Sequence, residues 1–516
     1  MLLNGFNLLI KKLLLSFLAI LIVCVAVAFT YHPNYGEGHG PKAQQSHLGY
    51  QANSVLSNYF SKPEGVPDAF SGFFPLETGH DALLTRLAMI ESAEHSLDLQ
   101  YYIFSNDETS QLIVWRLYEA AERGVKVRLL IDDMQSRKDS DIAYLDGHPN
   151  IDVRLFNPHQ FRALRMLSWI TDSERLNRRM HNKSMTADGV ASVVGGRNIG
   201  NEYFSFRSSV EFGDFDVLLN GPVVEETAEQ FDLYWNSEHS VPMSWIQKSK
   251  RIPIAEDVTR WREASRIEHK FTSDEYNFAT LPLYKKIKDN QIALNWGSAR
   301  LLFDSPTKVD DGDSQLITGL TEVLEGVESS MTLISPYFVP TEAGTRALVE
   351  ASLRGKRIVI LTNSLASNDV FAVHGWYAKY REALVEAGIE LWEMKAHASV
   401  EHQWSVTGSS RSSLHAKVMM LDDKKLFVGS MNMDPRSARL NTEMAVMFNT
   451  PAYVESAQST FFDELSKSAY QVTMDGGEMR WIDHENQRSF ETEPDSGLLL
   501  RTGAWLSGLL PIESWL

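Results

Sequence analysis

A short constellation occurs twice in this chain, and that repetition constrains the fold more than any other feature. "RRMHNKSMTADGVASVVGGRN" runs from Arg178 to Asn198, and "SSLHAKVMMLDDKKLFVGSMN" repeats it 234 positions later, His415 against His181. Each copy reads His-x-Lys, four residues, Asp, a turn, then an apolar run into Gly-x-x-Asn. The flanking text repeats in step. Leu97 and Leu99 stand 234 positions before Met331 and Leu333, and Arg123-Gly124 matches Arg354-Gly355 at 231, a slip that a loop absorbs. A period this long marks a duplicated domain, because solenoid units run about 20–50 residues. At 516 residues the chain has room for more than one core.

Each half alternates helical and extended patterns. "HDALLTRLAMIESA" puts Leu83, Leu87 and Ile90 on one helical face, and "SLDLQYYIF" follows as a strand. "ETSQLIVWRLYEAAERG" reads as a helix and "VKVRLLIDD" as the next strand. The order returns in "SQLITGLTEVLEGVESS", "MTLISPYFV", "EAGTRALVEASLRG" and "KRIVILTNS". Such alternation predicts an α/β fold with a largely parallel sheet in each half. The expected divisions are a membrane anchor or signal peptide over 1–31, a linker over 32–72, a first domain over 73–250, a connector over 251–299, a second domain over 300–470 and an apolar tail over 471–516. "WSVTGSSRSS" reads as a mobile loop before the second motif.

In an extended segment residues i and i+2 share a side, so His181 and Lys183 should project together, as should His415 and Lys417. "TADGV" and "LDDKK" are turn signals that fold each motif into a hairpin. Asp188 and Asp422 fall at those turns, where structural pairing competes with direct chemistry. Gly195 and Gly429 would let the backbone pass close to whatever the histidines hold, with Asn198 and Asn432 as amide donors nearby. If the halves pack about a pseudo-twofold axis, two imidazoles face each other between two ammonium groups. Imidazole serves as a nucleophile, or as an acid when charged. Paired lysines can hold the non-bridging oxygens of a phosphodiester and offset charge in the transition state. That removes the usual need for a divalent metal, so neither metal nor cofactor is expected.

The formal net charge of −18 and a pI near 5.3 count against a protein that wraps nucleic acid. Lys11 and Lys12 precede Leu13 to Tyr31, a run without charge that is long enough to cross a bilayer. The paired lysines favour the cytoplasm. The expectation is therefore a single anchor in the inner membrane with the remainder on the periplasmic side; a cleaved signal peptide at Ala26-Val27-Ala28 is the rival. The only cysteine, Cys24, lies within this run, so no disulfide framework follows it.

With these residues in place the sequence resembles the phospholipase D superfamily, whose signature is the paired His-x-Lys-x4-Asp motif, and within it the bacterial cardiolipin synthases of the C type. The similar text includes "LDLQYYIF", "RLNRRMHNKS", "VGGRNIGNEYF", "TNSLASNDV", "MDPRSARLNTEM" and "LLPIESWL", and spans about Phe73 to Leu516. The resemblance implies two phospholipase D-type domains, each a mixed β-sheet flanked by helices, packed about a pseudo-twofold axis. It implies that His181 is the nucleophile and His415 the general acid and base. Lys183, Lys417, Asn198 and Asn432 would bind phosphate. It also implies an acidic residue against each histidine, and Asp214 and Glu443 fall at the matching places. A-type synthases typically carry two membrane helices where this chain shows one, which bears on topology and not on chemistry.

The implied reaction moves a phosphatidyl group through a phosphatidyl-histidine, from phosphatidylethanolamine or phosphatidylglycerol to phosphatidylglycerol, giving cardiolipin. A hydrolytic phospholipase D that releases phosphatidic acid is the alternative, with a nuclease and a degenerate lipid-binding module behind it. The partners expected are phospholipids and the membrane, with no nucleic acid. Glu202, Tyr203 and Tyr337 are candidates for an ethanolamine headgroup, each also open to an ordinary surface or packing role. Arg162, Arg165 and Arg175, interleaved with Leu164 and Trp169, read as a basic-apolar surface or as a solvated helix face. His374 reads as a packed helical histidine or a headgroup contact. The C-terminal run with Trp505 and Trp515 could lie in the membrane boundary or dock on the protein.

Overall fold

Side-chain caps start the helices of the repeated pattern in both halves, and the first of these helices buries the face its spacing foretold. Thr78 accepts a hydrogen bond from the Asp81 N–H and starts helix Gly79–Ser92, which buries Leu83, Leu87 and Ile90. Asp107 caps Glu108–Glu122 in the same way, and Ser314 caps Gln315–Glu325 in the second half. The computed structural model describes residues 35–60, 62–135, 138–204, 211–249, 292–396 and 412–516, with isolated positions between 12 and 26 and between 253 and 289. Most of Leu13–Tyr31, read as an anchor, lies outside the described residues, as do nearly all of the "WSVTGSSRSS" loop and most of the connector. Among the described residues no helix is long and apolar enough to cross a membrane.

The first half contributes β1 (Phe70–Leu76), β2 (Ser96–Tyr101), β3 (Lys126–Asp132), β4 (Ile151–Phe156), β5 (Ser184–Ala187), β6 (Ala191–Gly195), β7 (Glu211–Gly213), β8 (Asp216–Asn220) and β9 (Ser240–Pro242). The second contributes β10 (Asn295–Phe303), β11 (Ser330–Ile334), β12 (Arg357–Asn363), β13 (Glu390–Met394), β14 (Ser412–Leu414), β15 (Val418–Leu421), β16 (Lys425–Gly429) and β17 (Met444–Asn449). Three more strands follow, β18 (Ala469–Asp475), β19 (Glu478–Asp483) and β20 (Arg488–Phe490). Among the described residues 18 of these form one sheet, ordered β9-β4-β3-β2-β5-β6-β8-β1-β10-β17-β16-β15-β11-β12-β13-β18-β19-β20. Reversal of this order about the β1–β10 pair carries each first-half strand onto its repeat. That is the pseudo-twofold relation which the 234-residue offset implied.

The sheet is mixed, not largely parallel. Only β2-β3-β4 and β11-β12-β13 run parallel within it, because the hairpin after each His-x-Lys returns the chain antiparallel. Two division points also move. β10 begins at Asn295, inside the expected connector, and residues 471–490, expected in the tail, extend the second half's sheet as β18 to β20. The halves share apolar core as well as strands. Phe73, Val194 and Val217 pack in one cluster with Val418, Val428 and Val446, and the rings of Phe73 and Phe448 lie 4.4 Å apart. An apolar interface of this kind holds the two halves in one orientation, as a site assembled from both requires.

Candidate active site

Both His-x-Lys segments are extended but lie just ahead of β5 and β15, outside the sheet. Their backbone partners are in the opposite half. The His181 N–H donates to Thr442 O at 2.9 Å, and the Thr442 N–H returns to Arg179 O at 2.9 Å. In the mirrored place β14 pairs in parallel with β7, and the His415 N–H donates to Gly213 O at 2.7 Å. Each histidine is thereby stitched to the segment that bears the other half's carboxylate.

The side-chain pairs are therefore crossed. His181 Nδ1 lies 2.9 and 3.0 Å from the carboxylate oxygens of Glu443, and His415 Nδ1 lies 2.5 Å from Asp214 Oδ2. A carboxylate on Nδ1 fixes the tautomer and leaves chemistry to Nε2. The Lys183 ammonium donates to its own motif's His181 O at 2.7 Å and stands over the Tyr102 ring, while Lys417 donates to His415 O. The Tyr102 ring meets His181 edge-on at 4.9 Å, and Tyr203 meets His415 edge-on at 5.5 Å. His181 and His415 keep 7% and 8% of their surface exposed, against 1% for each lysine. The imidazoles keep slight access to solvent, and the ammonium groups lie behind them, fully buried.

Burial dominates the electrostatics. It pulls His181 well below the ordinary histidine range, and the charges of Lys183, Lys417, His415 and Arg436 act in the same direction. Burial also brings Lys183 down to about 7, against the pull of Glu443, and Lys417 down to about 8, against Asp214. The two carboxylates diverge. Burial pushes Glu443 up to about 7. It works the same way on Asp214, but His415 and Lys417 outweigh it and hold that carboxyl below its ordinary range. Burial and the Lys417 charge lower His415 as well, against the pull of Asp214. The His181–Glu443 pair thus favours neutrality, while in the other pair Asp214 keeps its charge and His415 takes up a proton less readily than a free imidazole.

Asp188 and Asp422 do not join the histidines. The Asp188 carboxylate accepts the N–H groups of Glu94, His95 and Ser96, which ties its turn to the start of β2. Asp422 does the same with Glu328, Ser329 and Ser330 at β11; burial opposes its ionisation, yet these donors bring it down to about 2. Both turns hold two successive residues at positive φ, Asp188-Gly189 and Asp422-Asp423, which short polar residues and glycine tolerate. The aspartates build the hairpins that carry the histidines. Gly195 and Gly429 serve the sheet and not a ligand: a Cβ at Gly195 would meet Phe215 O at 2.6 Å, and one at Gly429 would meet Met444 O at 2.3 Å. Asn198 accepts from the Ile103 N–H and donates to the Tyr203 hydroxyl at 2.9 Å, so it holds the ring beside His415. Asn432 Oδ1 is buried without a partner among the described residues.

Several participants escaped the sequence reading. Ser430 and Ser437 each donate a hydroxyl to Glu443, at 2.5 and 2.8 Å. Their counterparts at the 234-residue offset are Gly196 and Tyr203, and a Cβ at Gly196 would lie 2.1 Å from Asp214 Oδ1. The Tyr337 hydroxyl donates to Asp369 at 2.7 Å, and the Asp369 charge reaches Lys417. Other candidates fall elsewhere. Arg162 and Arg165 are engaged by Asp133 and Asp139, and Arg175 by Asp172, so they form no free basic surface. His374 is buried against Glu493 at 2.8 Å, as a packed helical histidine. Among the described residues no cluster of His, Cys, Asp or Glu could hold a metal ion.

Comparison with known proteins identifies the family. The family model described as cardiolipin synthase, phospholipase D-like domain, matches residues 87–235 and 320–465, one match per half. Cardiolipin synthase C of Escherichia coli (strain K12) is 40% identical over 457 residues, 86% of this chain and 96% of that protein. Cardiolipin synthase of Clostridium perfringens (strain 13 / Type A) is 26% identical over 398 residues, 76% of this chain and 70% of that one. Among solved structures, phosphatidylserine synthase from Haemophilus influenzae Rd KW20 superposes with a TM-score of 0.54 at 13% identity, covering 77% of this chain and 87% of that chain, a likeness of fold.

Proposed function

The chain belongs to the cardiolipin synthase family with phospholipase D-like domains, and from that premise we propose how its two histidines divide a phosphatidyl transfer. The protein is a phosphatidyltransferase that forms cardiolipin. His181 Nε2 attacks the phosphorus of a donor phospholipid. The bond to the headgroup alcohol breaks as His415, charged and paired with Asp214, delivers its proton to the departing oxygen. The phosphatidyl group is then held on His181. A hydroxyl of phosphatidylglycerol gives its proton back to His415 and attacks the same phosphorus, and cardiolipin leaves. Lys183 and Lys417 offset the charge on the non-bridging oxygens in both displacements.

The crossed carboxylates carry this reading. They give both imidazoles one orientation logic but different electrostatics, with a neutral pair at His181 suited to attack and, at His415, an ionised Asp214 that supports the imidazolium needed for proton delivery against the burial that lowers it. Phosphatidylethanolamine is the donor we favour. Asp369 and the rings of Tyr203 and Tyr337 lie on the His415 side, where the leaving headgroup would sit, and an ammonium favours acidic and aromatic neighbours. We also place the catalytic halves on the periplasmic side of an inner membrane, from Lys11 and Lys12 ahead of the apolar run.

The test uses the full protein in vesicles of phosphatidylglycerol and phosphatidylethanolamine, with label in the phosphate or in the ethanolamine. Labelled phosphate should become acid-labile on His181, and ethanolamine should be released as cardiolipin appears. His181→Ala should abolish the adduct. His415→Ala should still form it with a donor that carries an activated leaving group. An adduct on His415 inverts the roles, cardiolipin without free ethanolamine makes phosphatidylglycerol the donor, and phosphatidic acid in place of cardiolipin makes the enzyme a hydrolase.

A further inference from the structure

Helix Leu498–Leu509 is turned against the usual rule for a surface helix, which buries its apolar stripe and shows its polar one. Its inward face is small, Ala504, Ser507 and Gly508, set against Gly375 so closely that a Cβ there would lie 2.0 Å from Ala504 O. Its outward face is Leu498, Leu499, Trp505 and Leu509, exposed by 77, 90, 64 and 61%. Phe371 lies beside it, packed at Gly503 and 47% exposed. A second apolar patch belongs to the first half. Leu164, Met166 and Ile170 are exposed by 66, 79 and 58%, while Arg165 among them and Arg162 just ahead turn toward Asp133 and Asp139.

The chain that follows each patch is bonded to one residue, Arg436. The Arg436 guanidinium donates to Asn177 O and to Trp515 O, each at 3.1 Å, and its N–H donates to Leu516 O at 2.6 Å. Asn177 lies four residues ahead of His181, and the Arg436 charge is felt at His181. The C-terminus of the second half and the approach to the nucleophile in the first are thus fastened together beside the cleft.

We propose that these two patches form a rim that seats on a phospholipid bilayer, so that donor and acceptor enter the cleft without their acyl chains leaving the membrane. This rests on the lipid-transfer reading above. An apolar helix face of this size is unusual on a free surface, and Trp505 and Trp515, the latter 62% exposed, suit the membrane–water boundary. A bilayer fits better than a second copy of the chain, because a protein seated at this rim would stand over the opening the substrates need.

The test keeps the full chain, reconstituted in vesicles of phosphatidylglycerol and phosphatidylethanolamine, with Cys24→Ser and an environment-sensitive dye on Leu506→Cys or on Met166→Cys. Each dye should shift to shorter wavelength and be quenched by lipid brominated in the acyl chains. A dye on Glu478→Cys, at an exposed hairpin, should do neither. Failure at either rim position overturns the proposal, as does a dye already shielded in a lipid-free dimer. A triple variant, Leu498→Glu with Trp505→Glu and Leu509→Glu, should lose at least tenfold of its turnover on vesicles. Turnover on a short-chain phospholipid dissolved as monomers should stay within twofold, and equal loss on both substrates sinks the idea. The dye readout needs no turnover, so it stands even if the reaction proves to be another one.

Discussion

Replacement of Gly196 by alanine should disable His415 without touching it. A Cβ at this position would lie 2.1 Å from Asp214 Oδ1 and 2.8 Å from Asp214 Cγ, far inside van der Waals contact. The carboxyl group must move by more than an ångström, and the 2.5 Å bond from Asp214 to His415 Nδ1 cannot follow it. Loss of an orienting carboxylate and of the charge that supports the imidazolium removes most of the general acid–base contribution, about 10²–10⁴ in rate. The assay compares a natural phospholipid with a donor whose leaving group is a nitrophenol. With the natural donor, kcat should fall by at least about 10²-fold. With the activated donor, one equivalent of nitrophenol should still appear in a burst, because that departure needs little proton transfer; the following turnover should be slow, because the acceptor must still be deprotonated. Asp214→Asn should behave alike, and thermal unfolding identifies any variant that has simply lost its fold. A Gly196→Ala enzyme with wild-type kcat on the natural donor would refute the reasoning. So would a folded variant whose burst is lost in the same proportion as its turnover.

The remaining expectations concern charge, the turns and topology. The alkaline side of kcat/KM on a soluble lipid should fall first as His415, held below the ordinary histidine value, gives up its proton. It should fall further across pH 7 to 8 as charge is lost at Lys183, brought down to about 7, and Lys417, brought down to about 8, while the acid limb lies well below the ordinary histidine range because His181 resists protonation. A profile that is flat to pH 9 contradicts this. Asp188→Ala leaves three N–H groups without their acceptor and should cost about 3 kcal/mol in denaturant unfolding, with kcat per folded molecule changed only a few-fold; a thousandfold loss of kcat at full stability would restore the aspartate to the chemistry. A periplasm-dependent reporter fused after Leu516 should be active, and its silence would reverse the proposed orientation.

The duplicated motif made both the repeat and the histidine–lysine pairs legible, because a side-chain spacing in an extended segment survives whatever surrounds it. The carboxylates were legible as residues but not as partners. Nothing in the spacing of Asp214 or Glu443 says that each serves the other half's histidine; that follows from the short ladders of β7 with β14 and of Met180 with Thr442, which are contacts between segments some 200 to 260 residues apart. The mixed sheet follows from the resemblance and not from the local pattern, for a related reason. Local alternation of helix and strand reports the parallel units β2-β3-β4 and β11-β12-β13, while the hairpins that close each half pair with strands distant in sequence. Gly196 drew no notice because its importance is an absence, the space that Asp214 occupies. The tail was read by composition, and composition could not separate β18 to β20, which complete a sheet, from the helix that follows.

Crossed pairing explains why the duplication persists as two unlike halves in one chain. A half on its own holds a histidine without its carboxylate and a carboxylate without its histidine, so neither half can orient an imidazole alone. Once the halves are joined, the twofold relation would give both histidines the same surroundings, and identical imidazoles cannot divide attack from proton delivery. The side chains at equivalent places break that equality. Around Glu443 the hydroxyls of Ser430 and Ser437 satisfy one longer carboxylate that burial keeps near neutrality. Around Asp214 the same two places are Gly196, which makes room, and Tyr203, which turns its ring edge toward His415; the shorter carboxylate is left with His415 and Lys417 to hold its charge. One backbone plan used twice supplies the facing geometry, and two substitutions per site supply the difference in role. Hence Ser430→Gly should move the His181 pair further from its counterpart: loss of the Ser430 donor raises Glu443 further, less carboxylate charge is left to support an imidazolium, and the acid limb of kcat/KM should shift downward. An acid limb that stays in place in the folded variant would show that burial alone, and not the hydroxyls, sets the two histidines apart.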